Sequence, residues 1–459
     1  MPANTHPHHR HSERKLAKPC SAIYRRMMTP TTNRRQFTKR TLGGLAAFPF
    51  IARMQAANSK LRIAAIGTGN RAKADIDGVA HEHLVAFADV DQQFLALAHQ
   101  TYSGVKTYQD FRVMLEKEEN RIDAVVVGTP DHTHAPAAAM ALRMGKHVYC
   151  EKPLTHTVHE SRTLMSLAKE KNLITQMGTQ IHAGENYREV VELIRSQIIG
   201  PIKEVHVWMN TSLNYSDGHF ATPTTAPSSL DWDLWLGPAP KRPYSDGIHP
   251  FNWRKFWDYG TGRLGDFGCH YLDLVHWALD LKQPVRIQAN GPQLSSVSPP
   301  SWLKVDYHYA AGKDRPPLKV TWYGGLKPPH LTQLKTADGH PIDWGSGQLF
   351  VGSDGMVLSN YSNHFLLKNG RALNSFDRPP ASIPRSIGHH REWTEAIRNN
   401  GSTTCNFDYA GNLSQTVLLG SVAYKLGKPL EWEATRGIIT NLADGQTHLH
   451  KEYRSGWSL

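Results

Sequence analysis

Residues 61–72 of this 459-residue chain read LRIAAIGTGNRA, and they set the architecture of the first domain. The aliphatic run from Leu61 to Ile66 is short enough for a fully buried strand. It breaks at Gly67-Thr68-Gly69, and a segment compatible with a helix comes next. Strand, glycine turn and helix in this order predict a doubly wound α/β fold whose first turn binds a dinucleotide.

The small residues of this turn each have a physical role. Gly67 allows a tight turn, Gly69 lets the backbone approach a pyrophosphate, and Ala72 lets helix and strand pack closely. The pyrophosphate then lies over unpaired N–H groups at the positive end of the helix. The other residues of the turn that we expect to contact the cofactor are Thr68, Asn70 and Arg71.

A second predicted strand, residues 83–90, places Asp89 twenty residues after Gly69. A carboxylate at this point accepts hydrogen bonds from the adenosine ribose hydroxyls and repels a 2′-phosphate, which favours NAD. Arg71 leaves NADP open, although its guanidinium can equally contact the pyrophosphate. An ordinary glycine loop is the alternative, and the combination of strand, glycines and spaced acid disfavours it.

The formal net charge of +12 suggests a nucleic-acid or membrane-surface partner until the charge is located. Residues 1–57 contain eleven Lys and Arg and one acid, which leaves 41 basic and 39 acidic residues in the remainder. The body of the protein therefore carries no nucleic-acid footprint and predicts no nucleic-acid partner. A chain of this length predicts two or three domains with ample core.

The basic extension contains a predicted export signal. Arg34-Arg35 precede a short, weakly apolar run from Leu42 to Ile51, a pattern that resembles a twin-arginine signal. The run is too short to span a bilayer, so we expect no stable membrane insertion. We predict that residues 1–57 engage the twin-arginine export machinery and that the protein is periplasmic. A disordered basic arm is the alternative.

Three cysteines lie beyond this extension, at Cys150, Cys269 and Cys405. They show neither the paired spacing of a disulfide framework nor the spacing of metal ligands. We therefore predict neither disulfides nor a metal site.

Residues 58–181 alternate short strands with helices, which predicts right-handed crossovers and a parallel sheet. Among the predicted helices are residues 107–118 and residues 137–144, the second opened by Pro136. Ligands bind beyond the carboxyl ends of such strands. The residues at those ends that we expect at the cofactor are Thr129, Pro130, His134, Glu151 and Lys152.

The pattern changes at about residue 182. Alternating strand-like pieces and a long irregular region, residues 211–265, predict a C-terminal α+β domain, residues 182–459, with an open, mainly antiparallel sheet. We expect this domain to contact substrate. Trp253 is a predicted substrate contact, since aromatic faces stack on sugar rings, and a buried tryptophan that fills the core is the alternative. The other predicted substrate contacts are His182, Arg254, Asp266 and His270.

Asp266 and His270 are four residues apart in a predicted helix and share one face. We expect Asp266 to hold the His270 ring and to raise its pKa, while the imidazole exchanges a proton near neutral pH. A capping aspartate with a structurally satisfied histidine is the alternative. Lys152 favours a catalytic role for this pair if it faces the same cleft, because a partly buried lysine can polarise a substrate oxygen.

The motif order GTGNR, ADVD, TPDHTH, EKP, IGPIKEV and GxxxDxGxHxxD resembles the Gfo/Idh/MocA family, the glucose–fructose oxidoreductase and inositol dehydrogenase superfamily, over residues 60–432. The resemblance implies a Rossmann domain, a C-terminal sheet that forms homo-oligomers, and hydride transfer between NAD(P) and a sugar or polyol carbon. It implies that His270 takes the hydroxyl proton, Lys152 holds the reacting oxygen and Asp266 orients His270 or the substrate. It also places Glu151 and His134 beside the cofactor.

Residues 230–262 resemble an exported bacterial branch of that family. We therefore expect an exported NAD-dependent oxidoreductase that acts on a secondary hydroxyl of a sugar, glycoside or polyol and retains its cofactor. Two alternatives stay open, a redox-cycling NAD-dependent glycosidase and a non-catalytic sugar or nucleotide sensor on the same fold. The presence of Lys152, Asp266 and His270 argues against the sensor.

Overall fold

The computed structural model describes residues 60–459 except residues 212 and 314. The predicted signal and extension, residues 1–57, lie outside the described residues, and the signal stays a prediction. Among the residues described, no helix combines the length and the apolar character needed to cross a membrane.

The first part of the chain alternates six strands with helices. The strands are Arg62–Ile66 (β1), His83–Ala88 (β2), Lys106–Tyr108 (β3), Ala124–Val127 (β4), His147–Cys150 (β5) and Thr175–Met177 (β6). The helices are Asn70–Val79 (α1), Gln92–Thr101 (α2), Phe111–Glu118 (α3), Asp131–Arg143 (α4) and Val158–Glu170 (α5). Every neighbouring pair of strands is parallel, in the order β3-β2-β1-β4-β5-β6. This arrangement confirms the predicted doubly wound Rossmann sheet.

The predicted helix over residues 107–118 is wrong at its beginning. Residues Lys106–Tyr108 form the edge strand β3, and α3 begins only at Phe111. The side chain of Asp110 accepts a hydrogen bond from the Arg112 backbone N–H, so it caps the helix there. The capping carboxylate, and not the apolar pattern, sets where this helix begins.

Helix α4 begins at Asp131, five residues before the predicted opening at Pro136. A proline inside a helix leaves the carbonyl four residues earlier without its usual donor. That carbonyl belongs to His132, and its oxygen accepts a hydrogen bond from Lys451 Nζ at 3.2 Å. A distant lysine therefore supplies the missing donor, and the helix runs through the proline.

The second part of the chain forms a ten-stranded sheet. Its strands are Ile202–Met209 (β7), Arg286–Asn290 (β8), Leu303–Tyr309 (β9), Leu318–Gly324 (β10), Gly347–Gly352 (β11), Met356–Ser359 (β12), His364–Lys368 (β13), Arg371–Ala372 (β14), Leu430–Glu433 (β15) and Ile438–Ile439 (β16). Their order is β14-β13-β12-β11-β7-β10-β9-β8-β15-β16, and of the neighbouring pairs β7 and β10 are parallel while the others whose register is resolved are antiparallel. The predicted open, mainly antiparallel sheet is confirmed.

The helices of this second part are Glu185–Arg195 (α6), Trp232–Leu236 (α7), Gly262–Leu279 (α8), His389–Arg398 (α9) and Phe407–Leu426 (α10). Helix α9 packs on the first sheet, where Trp393 is fully buried in the same apolar cluster as Ile63 of β1. His390 Nε2 lies 3.0 Å from Asp75 Oδ1 of α1. The division at residues 181 and 182 stays a prediction, and α9 covers a face of the sheet that precedes it.

Candidate active site

The turn after β1 packs so closely that Gly67 and Gly128 have no room for a Cβ atom and Ala72 has no room for a larger side chain. Gly67 has φ +88°, and a Cβ atom there would lie 2.9 Å from the carbonyl oxygen of Gly128. A Cβ atom on Gly128 would in turn lie 2.6 Å from the Cβ of Ala72. Both glycines and the small residue are therefore required by close packing of β1, β4 and α1. The turn leaves the space over the N-terminus of α1 open, which fits a pyrophosphate.

Asp89 follows β2 and is fixed by backbone donors. Its Oδ2 accepts from the Thr68 N–H at 2.8 Å and from Thr68 Oγ1 at 3.1 Å, and its Oδ1 accepts from the Asp91 N–H at 2.9 Å. Burial raises the pKa of Asp89 despite these bonds. Thr68 is buried behind this carboxylate, so it positions Asp89 and does not take the predicted place in the cavity wall.

A cavity of about 290 Å³ passes this turn and reaches Lys152. The predicted cofactor residues in its wall are Gly67, Gly69, Asn70, Arg71, Asp89, Thr129, Pro130, His134, Glu151 and Lys152. The predicted substrate residues in the same wall are Trp253 and Arg254. The donor turn and the acid at the ribose position, both in the wall of this cavity, fit an NAD molecule.

Arg71 is engaged by carboxylates within its own domain. Its Nη2 lies 2.7 Å from Asp75 Oδ1 and its Nε lies 3.2 Å from Glu151 Oε1. Burial and the neighbouring Asp75 raise the pKa of Glu151. A guanidinium held in this way is a poor ligand for a 2′-phosphate, which favours NAD over NADP.

His134 lines the cavity, but its ring has a structural role. Its two ring nitrogens each lie 2.8 Å from a carbonyl oxygen, one of Thr129 and the other of Pro153. Burial lowers the pKa of His134. The ring therefore ties the loop after β4 to the loop after β5, and its nitrogens are not free for a cofactor.

Lys152 and Asp266 form the charged centre of the site. Lys152 Nζ donates to the main-chain oxygen of Asp266 at 3.1 Å and forms an ion pair with its carboxylate. The other carboxylate oxygen accepts from the Tyr215 hydroxyl at 2.7 Å and lies 3.6 Å from Arg254 Nε. Burial alone would raise the pKa of Asp266, but Lys152 and Arg254 hold it well below its ordinary value. Both partners are therefore charged at neutral pH.

The structure contradicts the expectation that Asp266 holds the His270 ring, and Asp266 raises the pKa of that ring too little to offset burial and Lys152. Although both residues lie on α8, Asp266 is bonded to Lys152 and Tyr215, and His270 Nδ1 has no hydrogen-bond partner within the described part of the chain. Burial, reinforced by the Lys152 ammonium, lowers the pKa of His270 to about 3. The imidazole is therefore neutral at pH 7. It lies outside the cavity wall, with its ring edge toward Tyr361 at 6.2 Å between centroids.

His182 is not brought to the cavity, so its predicted contact with substrate is corrected. The side chain is 1% exposed, and its Nδ1 lies 2.9 Å from Asp273 Oδ1. Its ring stacks on Trp277 with centroids 4.0 Å apart. Because Asp273 and Trp277 both belong to α8, His182 packs against that helix and has a structural role.

Two residues of the site escaped sequence reasoning. Asp131 follows the predicted strand end at Thr129, and its Oδ2 accepts from Thr261 Oγ1 at 2.7 Å, which ties α4 to the beginning of α8. Asp131 lies in the motif TPDHTH, and that motif could have identified it from the sequence. Tyr215 stands in the irregular region, where no periodicity or motif marks it, so only the fold reveals its bond to Asp266.

Two family profiles match the chain over its first and second parts. Residues 61–179 match the oxidoreductase family with an NAD-binding Rossmann fold, and residues 183–315 match the C-terminal α/β domain of the same family. Together these matches span more than half of the 459 residues.

Curated relatives include sugar and polyol dehydrogenases. Levoglucosan dehydrogenase from Pseudarthrobacter phenanthrenivorans is 26% identical over 194 residues, which is 41% of each chain. Inositol 2-dehydrogenase 1 from Saccharopolyspora erythraea is 30% identical over 188 residues, which is 38% of this chain and 54% of the relative. The matched part of the chain thus spans about half the length of these relatives.

Solved structures share the fold at lower identity. Levoglucosan dehydrogenase in complex with NADH superposes with a TM-score of 0.54 at 16% identity, over 81% of this chain and 98% of that chain. Aldose-aldose oxidoreductase from Caulobacter crescentus, complexed with glycerol, gives 0.54 at 17% identity, over 81% and 99%. With the two profile matches in consecutive order, the chain belongs to the Gfo/Idh/MocA family of oxidoreductases, and its first domain is that family's NAD-binding Rossmann domain.

Proposed function

We propose that the protein is an NAD-dependent oxidoreductase that transfers hydride between its cofactor and a secondary hydroxyl carbon of a sugar, glycoside or polyol. One observation carries the proposal. A single cavity joins the acid of the ribose site, Asp89, to Lys152, which is ion-paired with Asp266. A dinucleotide anchored at the glycine turn therefore has a charged polar centre at its other end.

The residues of that centre divide the chemistry among them. NAD, when bound, supplies the hydride acceptor. Lys152 donates a hydrogen bond to the reacting oxygen and stabilises the negative charge that develops on it. Asp266 holds the ammonium in place. The alcohol loses one hydride to the cofactor and one proton to a base, and His270, which is neutral at pH 7, is the base that the family resemblance implies.

The substrate end of the cavity suits a sugar. The Arg254 guanidinium lies 4.0 Å from the ring centroid of Trp253 and 3.6 Å from Asp266 Oδ2. Phe251, which is 48% exposed, lines the same wall. An aromatic and cationic wall of this kind packs against a sugar ring and binds its hydroxyls. The names of the relatives support the same substrate class.

A single-turnover experiment tests the proposal. Purified protein with NAD is mixed with a panel of sugars, polyols and glycosides, and reduced nicotinamide is followed by its absorbance. We expect at least one of these compounds to reduce the cofactor in the parent protein and in Lys146→Ala, which alters a lysine at the opposite end of β5. We expect Lys152→Ala to reduce it about 10² to 10⁴ times more slowly. Equal rates in all three proteins would remove Lys152 from the chemistry, and free sugar released from a glycoside without net NADH would identify the redox-cycling glycosidase.

We further propose that residues 1–57 export the protein through the twin-arginine route and that the ten-stranded sheet forms a homo-oligomer. The export proposal is supported by Arg34-Arg35 and the weak apolar run after them. Replacing both arginines by lysine should leave precursor in the cytoplasm, and unchanged delivery to the periplasm would contradict the signal.

The proposed homo-oligomer is tested by light scattering of the purified protein, and a monomer would contradict it.

A further inference from the structure

Beyond Asp89, the wall of the cavity is aromatic. The side chains there are Phe94, Phe111 and Trp457, with Gln109 beside them. The ring centroids of Phe111 and Trp457 are 5.9 Å apart, with planes tilted by 49°. Trp457 lies near the end of the printed sequence, far from the glycine turn and from Asp89.

The position of this wall follows from the fold. In a doubly wound sheet, the acid after the second strand binds the adenosine ribose, and the base lies farther out along the same edge. Gln109 follows β3 and Phe111 is the first residue of α3, so both lie at the next elements along that edge. Phe111 and Trp457 therefore lie where the adenine of a dinucleotide bound at Asp89 would be held.

The Trp457 ring is held firmly from the Rossmann side. The Arg112 guanidinium lies 4.3 Å from the ring centroid, and its Nη1 donates to the carbonyl oxygen of Gly456 at 3.1 Å. Arg112 is itself fixed by Asp110, with Nη2 2.7 Å from the carboxylate. Two residues farther on, the carbonyl oxygen of Leu459 accepts from Arg143 Nη2 at 2.8 Å.

The chain that leads to Trp457 is fastened as well. We call residues 451–459 the clasp segment. Lys451 Nζ lies 3.1 Å from Glu160 Oε1, and the Tyr453 hydroxyl donates to the same oxygen at 2.6 Å. Arg454 Nη1 lies 2.9 Å from Asp233 Oδ1 of α7. The clasp segment thus contacts α5, α7 and the beginning of α3, so Trp457 cannot leave the cavity wall unless several bonds break.

We infer that Trp457 forms the adenine-binding wall of the cofactor site and that the clasp segment slows release of NAD. A partly exposed indole beside an apolar ring offers the flat aromatic surface on which a purine base packs. The inference relies on the proposed function only for the cofactor, and it needs no assumption about the substrate.

Calorimetric titration of the full chain with NADH, ADP-ribose and nicotinamide mononucleotide tests the inference. Stacking of a base on an aromatic side chain predicts that Trp457→Ala weakens NADH and ADP-ribose by about 5- to 150-fold. Binding of nicotinamide mononucleotide, which lacks adenine, should be unchanged. Trp457→Phe should recover most of the loss. The matched control is Phe376→Ala, which alters an aromatic ring beneath Arg378 away from the cavity and should change none of the three affinities.

The role of the clasp segment is tested by the rate at which NADH leaves. Arg112→Ala removes the contact with the indole and the bond to Gly456, so bound NADH chased with excess NAD should dissociate faster than from the parent. ADP-ribose binding as tight in Trp457→Ala as in the parent, or an equal loss for the mononucleotide, would overturn the inference. Because these are binding measurements, they stand even if no sugar is oxidised.

Discussion

The two ends of the cavity are assembled in different ways. At the nucleotide end, Gly67 and Ala72 lie five residues apart, and their geometry is set by the backbone. At the catalytic end, Lys152 and Asp266 are 114 positions apart, and Tyr215 comes from a third segment. The glycine turn at the nucleotide end is therefore a local structure, to which Gly128 and Trp457 are added from other segments. The catalytic end, in contrast, exists only when charged groups from distant segments meet.

The largest effect that separates the two ends is expected for His270→Ala. Loss of the proton acceptor should lower the rate of nicotinamide reduction by about 10² to 10⁴. NAD binding should be unchanged, since the glycine turn and Asp89 are untouched. Rapid-mixing absorbance and a parallel NAD titration measure the two quantities.

Tyr361→Phe is the matched control, because it keeps the ring that packs edge-on against His270. We expect it to react at nearly the parent rate. Reduction at the native rate in His270→Ala would show that this histidine is structural.

At the nucleotide end, Gly67→Ala should lower NAD affinity by about tenfold or more. The new Cβ meets the Gly128 oxygen at 2.9 Å, and φ +88° is unfavourable for alanine. Gly104→Ala is the comparison, because Gly104 has φ +85° with open space around it. Gly104→Ala should lose less stability than Gly67→Ala in denaturant titration, because only its backbone is strained, and it should keep its NAD affinity. An equal loss of affinity in both variants would mean that backbone strain, and not the close contact, matters.

A smaller change is expected for Asp89→Asn. Loss of the carboxylate weakens the hydrogen bonds to the ribose, so NAD affinity should fall by about 2- to 13-fold. The preference for NAD over NADP should narrow as well, since the repulsion of a 2′-phosphate is removed. Parallel titrations with both cofactors give the ratio, and a parent protein that prefers NADP would refute the assignment.

The smallest effect is expected for pH. The pKa of His270 is lowered to about 3 by burial and by Lys152, so the ring stays neutral above that pH. Sugar oxidation should therefore show no acid limb near pH 6.5, where a free imidazole titrates.

The free energy of unfolding should depend on pH, because burial lowers the pKa of His132 and His276 to about 3. The unfolded chain binds protons below about pH 6.5 that the native protein does not, so the free energy of unfolding should fall as the pH falls.

The fold was predictable wherever a local pattern dictates it. The strand, turn and helix of residues 61–79 and the alternation of elements after them are written in hydrophobic periodicity. The errors fall where a side chain overrides that pattern. Asp110 caps a helix that periodicity begins too early, and Lys451 allows α4 to pass through Pro136. The second of these contacts joins residues too distant for any window of sequence to connect.

The candidate site shows the same limit. Lys152, Asp266 and Asp89 were identified from their positions at strand ends and on a helix face. The bond between Tyr215 and Asp266, which turns the acid away from His270, depends on how an irregular segment folds back. Its sequence carries no periodicity from which that path can be deduced.

Helix α9 has a consequence for how the protein is made. Trp393 completes the apolar layer against the first sheet, and Arg398 pairs with Glu82, the residue before β2. A ribosome releases residues in order, so the sheet of residues 62–177 waits exposed on this face until residue 398 has emerged. During that interval the nascent chain presents unpaired apolar surface, which is where aggregation begins and where chaperones bind. The first sheet is the part of the protein whose structure is most evident from local sequence, yet it is among the last parts to be fully packed.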